Sequence, residues 1–109
     1  LPLHGELLLA GNGTLDCRPM AGGLRDPGAG GWQVRYRQGS EQIKLAGRPT
    51  RSVKQLLQEA QIPVWLRPSV PLLYSGGALV SVAGRWNAEQ ALVEGAGSGF
   101  TVSWEPVSD

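Results

Sequence analysis

A chain of 109 residues, 41% hydrophobic and 17% charged, has the size and composition of one globular domain. The net charge of +1 excludes a strongly basic or acidic chain, so any charge-driven binding must come from local clustering. One cysteine, Cys17, and one histidine, His4, exclude an internal disulfide and argue against a zinc site or a Cys–His nucleophile pair.

The 16 glycines and 8 prolines follow no fixed period, so they read as turn punctuation rather than collagen or disorder. Residues 6–10 and 14–18 are strand-like runs on either side of Gly11-Asn12-Gly13, a strong hairpin signal. Cys17 is expected to be a small buried apolar residue in the second of these strands. Residues 21–31 hold five glycines and Pro27 and read as a loop. Residues 32–37 then alternate with period two, placing Trp32, Val34 and Tyr36 inward and Gln33, Arg35 and Arg37 outward. After Gly39-Ser40, residues 42–45 alternate again, with Ile43 and Leu45 inward and Lys44 outward.

One helix is predicted. Ser52 and Gln55 have capping-box spacing. Val53, Leu56, Leu57 and Ala60 then form a single apolar stripe, about ten residues of helix that Pro63 is expected to stop. A helix that short must dock on the sheet to be stable. Beyond it, residues 63–68 form a Pro-bracketed connection in which Trp65, between Val64 and Leu66, reads as core, with base stacking as the alternative. Residues 71–74 and 78–82 are buried strands joined through Ser75-Gly76-Gly77, Trp86 closes the core, Gly95 to Gly99 is a loop, and residues 100–104 form a last strand. The expected fold class is α+β, a sheet-dominated domain of short, mostly antiparallel strands with one main helix, as a single domain over residues 1–109.

Two glycine motifs invite nucleotide-binding readings and fail them. Ser75-Gly76-Gly77-Ala78 lacks the Asp and Ser of an ATP-pyrophosphatase loop, since Leu79 and Val80 stand there, and it leads into a strand. Gly95-Ala96-Gly97-Ser98-Gly99 has no following helix to receive a pyrophosphate. Asp16, Asp26, Glu41 and Glu59 are scattered and form no acid–base pair, so no catalytic residue is expected. No apolar run approaches the roughly 20 residues of a membrane span. Leu7-Leu8-Leu9-Ala10 is too short for a signal peptide and lacks a basic n-region, so no membrane partner is expected. The chain does not begin with Met and is expected to be a piece of a longer protein.

The charge distribution is more informative than its total. Arg35, Arg37, Lys44, Arg48, Arg51 and Lys54 fall within twenty residues that contain one acid, Glu41, whereas Glu89, Glu94, Glu105 and Asp109 make the C-terminal quarter acidic. Such a basic stretch is the pattern of a phosphate-facing patch or, equally, of a solvated face without a partner. A strip of Arg and Lys suits the backbone of duplex RNA, which is recognised mostly by shape and phosphate contacts.

Residues 47–86 resemble the C-terminal domain of bacterial tRNA(Ile)-lysidine synthetases. The resemblance is carried by Gly47-Arg48, by Ser52-Val53-Lys54-Gln55-Leu56-Leu57-Gln58-Glu59, and by Ile62-Pro63-Val64-Trp65-Leu66-Arg67. It continues through Pro71-Leu72-Leu73-Tyr74 and residues 79–86, and Val34-Arg35-Tyr36-Arg37 also fits the strand before the Gly-Arg turn. It covers about half the chain; the first thirty and last twenty residues match nothing beyond a strand-like pattern. The family often has a second proline where this chain has Val64.

The resemblance implies a tRNA-binding module similar to one in the phenylalanyl-tRNA synthetase β subunit. It also implies a cytoplasmic parent enzyme that ligates lysine to the wobble cytidine of an isoleucine tRNA. The parent's ATP (with magnesium) and lysine would be used by an N-terminal catalytic domain absent from this chain, so no cofactor is expected here. The implied partners are the acceptor-stem region of the isoleucine tRNA and the parent's other domains. Arg48, Arg51, Lys54 and Arg67 are then the expected RNA contacts, with Arg35, Arg37 and Lys44 in support. Two alternatives stay open: a packing module without RNA contact, and a protein-interaction domain anchored by exposed Trp and Tyr. Whether Arg48, Arg51, Lys54 and Arg67 share one exposed surface discriminates among them.

Overall fold

The computed structural model describes residues 5–9, 11–28, 30–95 and 97–106. His4, Ala10, Ala96 and Asp109 lie outside the described residues. Among those described, the backbone forms strands β1 (Gly5–Leu9), β2 (Gly13–Ala21), β3 (Gln33–Arg35), β4 (Gln42–Ile43) and β5 (Arg51–Ser52), then helix α1 (Val53–Glu59). Strands β6 (Leu72–Ser75), β7 (Ala78–Val82), β8 (Trp86–Asn87) and β9 (Ser98–Glu105) follow, with short 3₁₀ turns at Arg67–Ser69 and Glu89–Ala91.

The strands pair into a three-stranded sheet β1-β2-β9, a four-stranded sheet β3-β6-β7-β8 and the two-stranded β4-β5, every pair antiparallel. The fold is therefore the expected α+β class with one main helix. Both predicted hairpins form. Asn12 N–H donates to the Leu9 carbonyl at 2.9 Å in the first. In the second, Ser75 pairs with Ala78 across Gly76 and Gly77, whose φ of +57° and +84° demand residues without a Cβ penalty.

Register explains the core. Leu15 opposes Trp104 and Cys17 opposes Val102 across β2 and β9, so their side chains share one face. Leu15, Cys17 and Val102 are buried there together with Leu72 and Val82 from the other sheet and Val53, Leu56 and Leu57 from α1. Trp32 meets the edge of Phe100 with ring centroids 5.7 Å apart, joining the start of β3 to β9. Each large aliphatic side chain buried this fully contributes roughly 1.5–3 kcal/mol. Cys17 is buried as expected, and burial first, then the Asp16 charge, pushes its thiol pKa up.

Several expectations about local structure need correction. The helix has seven residues rather than ten and ends before Pro63. The Gln61 N–H donates to the Gln58 carbonyl and the Ile62 N–H to the Leu57 carbonyl, both at 3.1 Å, with Gln61 at φ +59°. This is a Schellman stop with Gln in the position that favours Gly. At the other end the expected cap is present, the Ser52 hydroxyl accepting from Gln55 N–H at 3.0 Å. Strand β3 is shorter than residues 32–37, and Tyr36 lies beyond it, 41% exposed rather than inward. Trp65 is 83% exposed and Val64 69% exposed, so the connection after α1 is a surface turn and not core. The segment 21–31 is not wholly loop: Ala21 ends β2, and Leu24 is buried, exchanging backbone hydrogen bonds with Phe100 at 2.9 Å.

Two details fix where the surface cavities lie. A Cβ on Gly84 (φ +72°) would sit 2.0 Å from the Val102 carbonyl oxygen, so glycine lets the β7–β8 turn press directly on β9. Asn12 ties the first hairpin to its surroundings: its amide donates to the Ser69 carbonyl at 2.7 Å, and its carbonyl accepts from the Trp104 indole at 3.0 Å.

Candidate nucleic-acid interface

The predicted basic residues do not form one continuous strip. Lys44 is exposed but paired with Glu89 at 2.6 Å, the acidic C-terminal quarter folding back onto the basic segment. Arg35 lies over the Tyr74 ring, 4.8 Å from its centroid, and donates to the Gln33 side chain at 2.9 Å. Arg37 is partly buried, and its Nε has no hydrogen-bond partner among the described residues. Its charge acts on Glu41, whose carboxylate is pushed up by burial but is held below its ordinary pKa overall. Backbone N–H groups, including those of Gln38 at 2.6 Å and Gly39 at 3.1 Å, outweigh burial there, with help from Arg37. Arg67 is half-buried and fastens its own turn, Nε donating to the Ile62 carbonyl at 2.8 Å.

Arg48 and Arg51 do come together. The turn after β4 (Arg48 N–H to Leu45 carbonyl, 3.1 Å) and the start of β5 bring both to the flank of α1 that carries Leu56, Glu59 and Ala60. Arg51 pairs there with Glu59. Lys54, exposed in the first turn, points about 140° around the helix axis from Glu59 and belongs to a different flank. Of the four residues given most weight, the structure thus brings two to one surface.

The third cation of that surface is Arg85, not singled out for binding from the sequence. It lies on the β7–β8 turn with its guanidinium 4.5 Å from the Trp86 ring centroid, a stacked cation–π arrangement. Arg48, Arg51, Arg85, Trp86, Leu56, Glu59 and Ala60 line a cavity of about 210 Å³. Among the described residues, three arginines and one acidic residue line this recess, Arg51 pairs with Glu59, and Arg48 and Arg85 make no ion pair. The adjacent Gly-Arg-Trp triplet was the available signal for Arg85. Its meeting with residues some 35 positions earlier comes from the packing of the β7–β8 turn beside α1.

Arg85 and Trp86 are also one wall of a second, larger cavity of about 350 Å³, completed by Ile62, Val70, Ala83, Val102, Ser103 and Trp104. A positively charged recess beside an aromatic one suits a polyanion that also carries flat apolar groups, which is the chemistry of a nucleic acid. No group of His, Cys, Asp and Glu among the described residues is arranged to hold a metal ion. No helix there is long and apolar enough to cross a membrane.

Residues 32–104 match the family model for the TilS substrate C-terminal domain. Among curated proteins the chain is similar to the tRNA(Ile)-lysidine synthase of Coxiella burnetii, 45% identical over 74 residues, which are 67% of this chain and 16% of that protein. It is 40% identical over 105 residues to the Pseudomonas aeruginosa tRNA(Ile)-lysidine synthase, covering 96% of this chain and 21% of that one. The chain thus spans about a fifth of the length of these relatives. In structure it is similar to a crystal structure of a TilS C-terminal domain, with a TM-score of 0.74 at 19% identity, covering 100% of this chain and 95% of that one.

Proposed function

Because the chain belongs to the family of TilS substrate C-terminal domains, we propose that it is the tRNA-recognition domain of a tRNA(Ile)-lysidine synthase and holds RNA by electrostatics and shape. In this reading the parent enzyme ligates lysine to the wobble cytidine of an isoleucine tRNA with ATP and magnesium. Catalysis then lies in the remainder of the enzyme, which works in the cytoplasm, and residues 1–109 act as one C-terminal domain that docks the acceptor-stem region. The kinship with the phenylalanyl-tRNA synthetase β-subunit module belongs to the same reading.

The observation that carries the proposal is the convergence of Arg48, Arg51 and Arg85 on one recess in which Glu59 is the one carboxylate among the described residues. Planar guanidinium groups suit phosphate oxygens, which accept paired hydrogen bonds from their fork. Exposed Trp65, on the turn anchored by Arg67, adds a stacking surface. Lys54, Arg35, Arg37 and Lys44 are secondary contacts in this scheme, Lys44 only after release from Glu89. The packing-module alternative predicts little affinity for RNA in isolation.

The test is a titration of the chain with an isoleucine acceptor-stem hairpin at increasing salt. Binding that weakens steeply with salt, and is lost in the triple variant Arg48→Ala, Arg51→Ala, Arg85→Ala, is the expected result. Absence of binding at low salt, or an unaffected triple variant, refutes the assignment.

A further inference from the structure

We infer that the larger cavity receives one unpaired nucleobase from the end of the RNA whose phosphates meet Arg48, Arg51 and Arg85; this rests on the RNA-binding reading above. The geometry that supports it is the wall common to the two recesses. Arg85 and Trp86 line both, so a group seated in one is adjacent to a group seated in the other. Their chemistries differ as the two halves of a nucleotide differ. The smaller recess is cationic. The larger has an apolar floor of buried Val70 and Val102 with Ile62 and Ala83, and is flanked by the indoles of Trp86 and Trp104.

Among the described residues the larger recess has no carboxylate in its lining, and the one charge there is the Arg85 guanidinium. That guanidinium already has one face on Trp86. Its outer face is a planar cationic platform of the kind on which a base stacks. The Trp104 indole N–H is committed to Asn12, so Trp104 offers ring surface rather than a donor. At about 350 Å³ the recess falls at the lower end of the range for small-ligand sites. A base inside a duplex has both faces stacked and cannot enter without being flipped, whereas an unpaired terminal base is free to do so. The occupant is therefore a nucleotide of a single-stranded extension, such as the unpaired 3′ end that every tRNA carries.

Two hairpins with the same duplex, one blunt and one with a single-stranded 3′ extension, decide the question with the unmodified chain. The extended hairpin is expected to bind at least about 5-fold tighter, the lower end of the gain from one stacked base, which reaches about 150-fold. With 2-aminopurine as the first unpaired nucleotide, its fluorescence is expected to fall on binding. Ser103→Leu, on β9 away from the Arg85 turn, narrows the recess and is expected to lower affinity for the extended hairpin to the blunt level while leaving the blunt one unchanged. Equal binding of both hairpins by the unmodified chain, with salt dependence intact, overturns this inference and leaves the RNA-binding reading standing. No binding of either at low salt overturns both. Quenching of intrinsic tryptophan fluorescence by millimolar AMP, with equal affinity for the two hairpins, assigns the recess to a free nucleotide instead.

Discussion

Glu59 is the residue on which the phosphate-facing interpretation can be tested with opposite signs. Among the described residues it is the single carboxylate in the recess of Arg48, Arg51 and Arg85, and it holds Arg51. With Arg48 and Arg85 in no ion pair among the described residues and Arg51 partly neutralised, the recess offers between two and three effective phosphate contacts. At about 0.9 of log–log salt slope per contact on a duplex, the recess alone should contribute a slope of about −1.8 to −2.7, to which any secondary contact adds. On that contribution alone, affinity should fall about 12- to 40-fold between about 50 and 200 mM salt. Arg48→Ala removes one contact, so the slope should shrink by about 0.9. Glu59→Gln releases Arg51 and should do the reverse, tightening binding at low salt and moving the recess's contribution toward −2.7, about three full contacts.

Both members of the Arg51–Glu59 pair are partly exposed, with side chains 29% and 52% accessible, so its loss should cost the fold at most about 1 kcal/mol. Fluorescence anisotropy of a labelled hairpin over a salt series reads affinity and slope together, and a thermal melt checks folding. If Glu59→Gln and Arg48→Ala both leave the slope unchanged, the recess does not face phosphate. A Lys54→Ala effect larger than that of Arg48→Ala would move the interface to the other flank of α1.

Trp65→Ala should leave the melting temperature unchanged, because the indole is 83% exposed, yet weaken RNA binding by about 1–3 kcal/mol; a melt and a binding isotherm measure the two halves separately. Gln61→Gly should raise stability by about 0.5–1 kcal/mol in denaturant titrations, since Gln61 occupies the left-handed position of the Schellman stop at φ +59°. The Glu41 carboxylate has a folded-state pKa below its ordinary value, despite burial, because of backbone N–H donors and Arg37. Its contribution to stability is therefore full above the ordinary carboxylate pKa and is lost as pH falls through the folded value. Stability measured from neutral into the acid range should decline less steeply in Glu41→Gln than in the unmodified chain, and parallel curves would remove Glu41 from the account.

Local rules made much of the fold legible. Asn-Gly and Gly-Gly between alternating runs specify their hairpins because only certain turns match strand twist. Ser52 before Val53, Leu56 and Leu57 specifies a capped amphipathic helix, and both features formed. Trp65 and Tyr36 depart from their sequence pattern for one reason: hydrophobicity by itself does not say which side of a short segment meets other protein. Trp65 reads as core between Val64 and Leu66, but the Schellman stop at Gln61 redirects the chain into a surface turn. Tyr36 continues an inward alternation, but β3 stops at Arg35 and the register ends with it.

The sequence by itself determined the fold class, the family resemblance, the buried state of Cys17 and the presence of surplus positive charge between residues 35 and 54. Only the tertiary structure decided which of those charges act together. Lys44 meets Glu89, Arg51 meets Glu59, and Arg85 meets Trp86 beside both cavities, contacts spanning up to 45 positions or set by how the β7–β8 turn packs on β9. Charge counts along a chain are local quantities, whereas the potential at a surface depends on distances in space. Chain folding fixes those distances through packing contacts that no local pattern records.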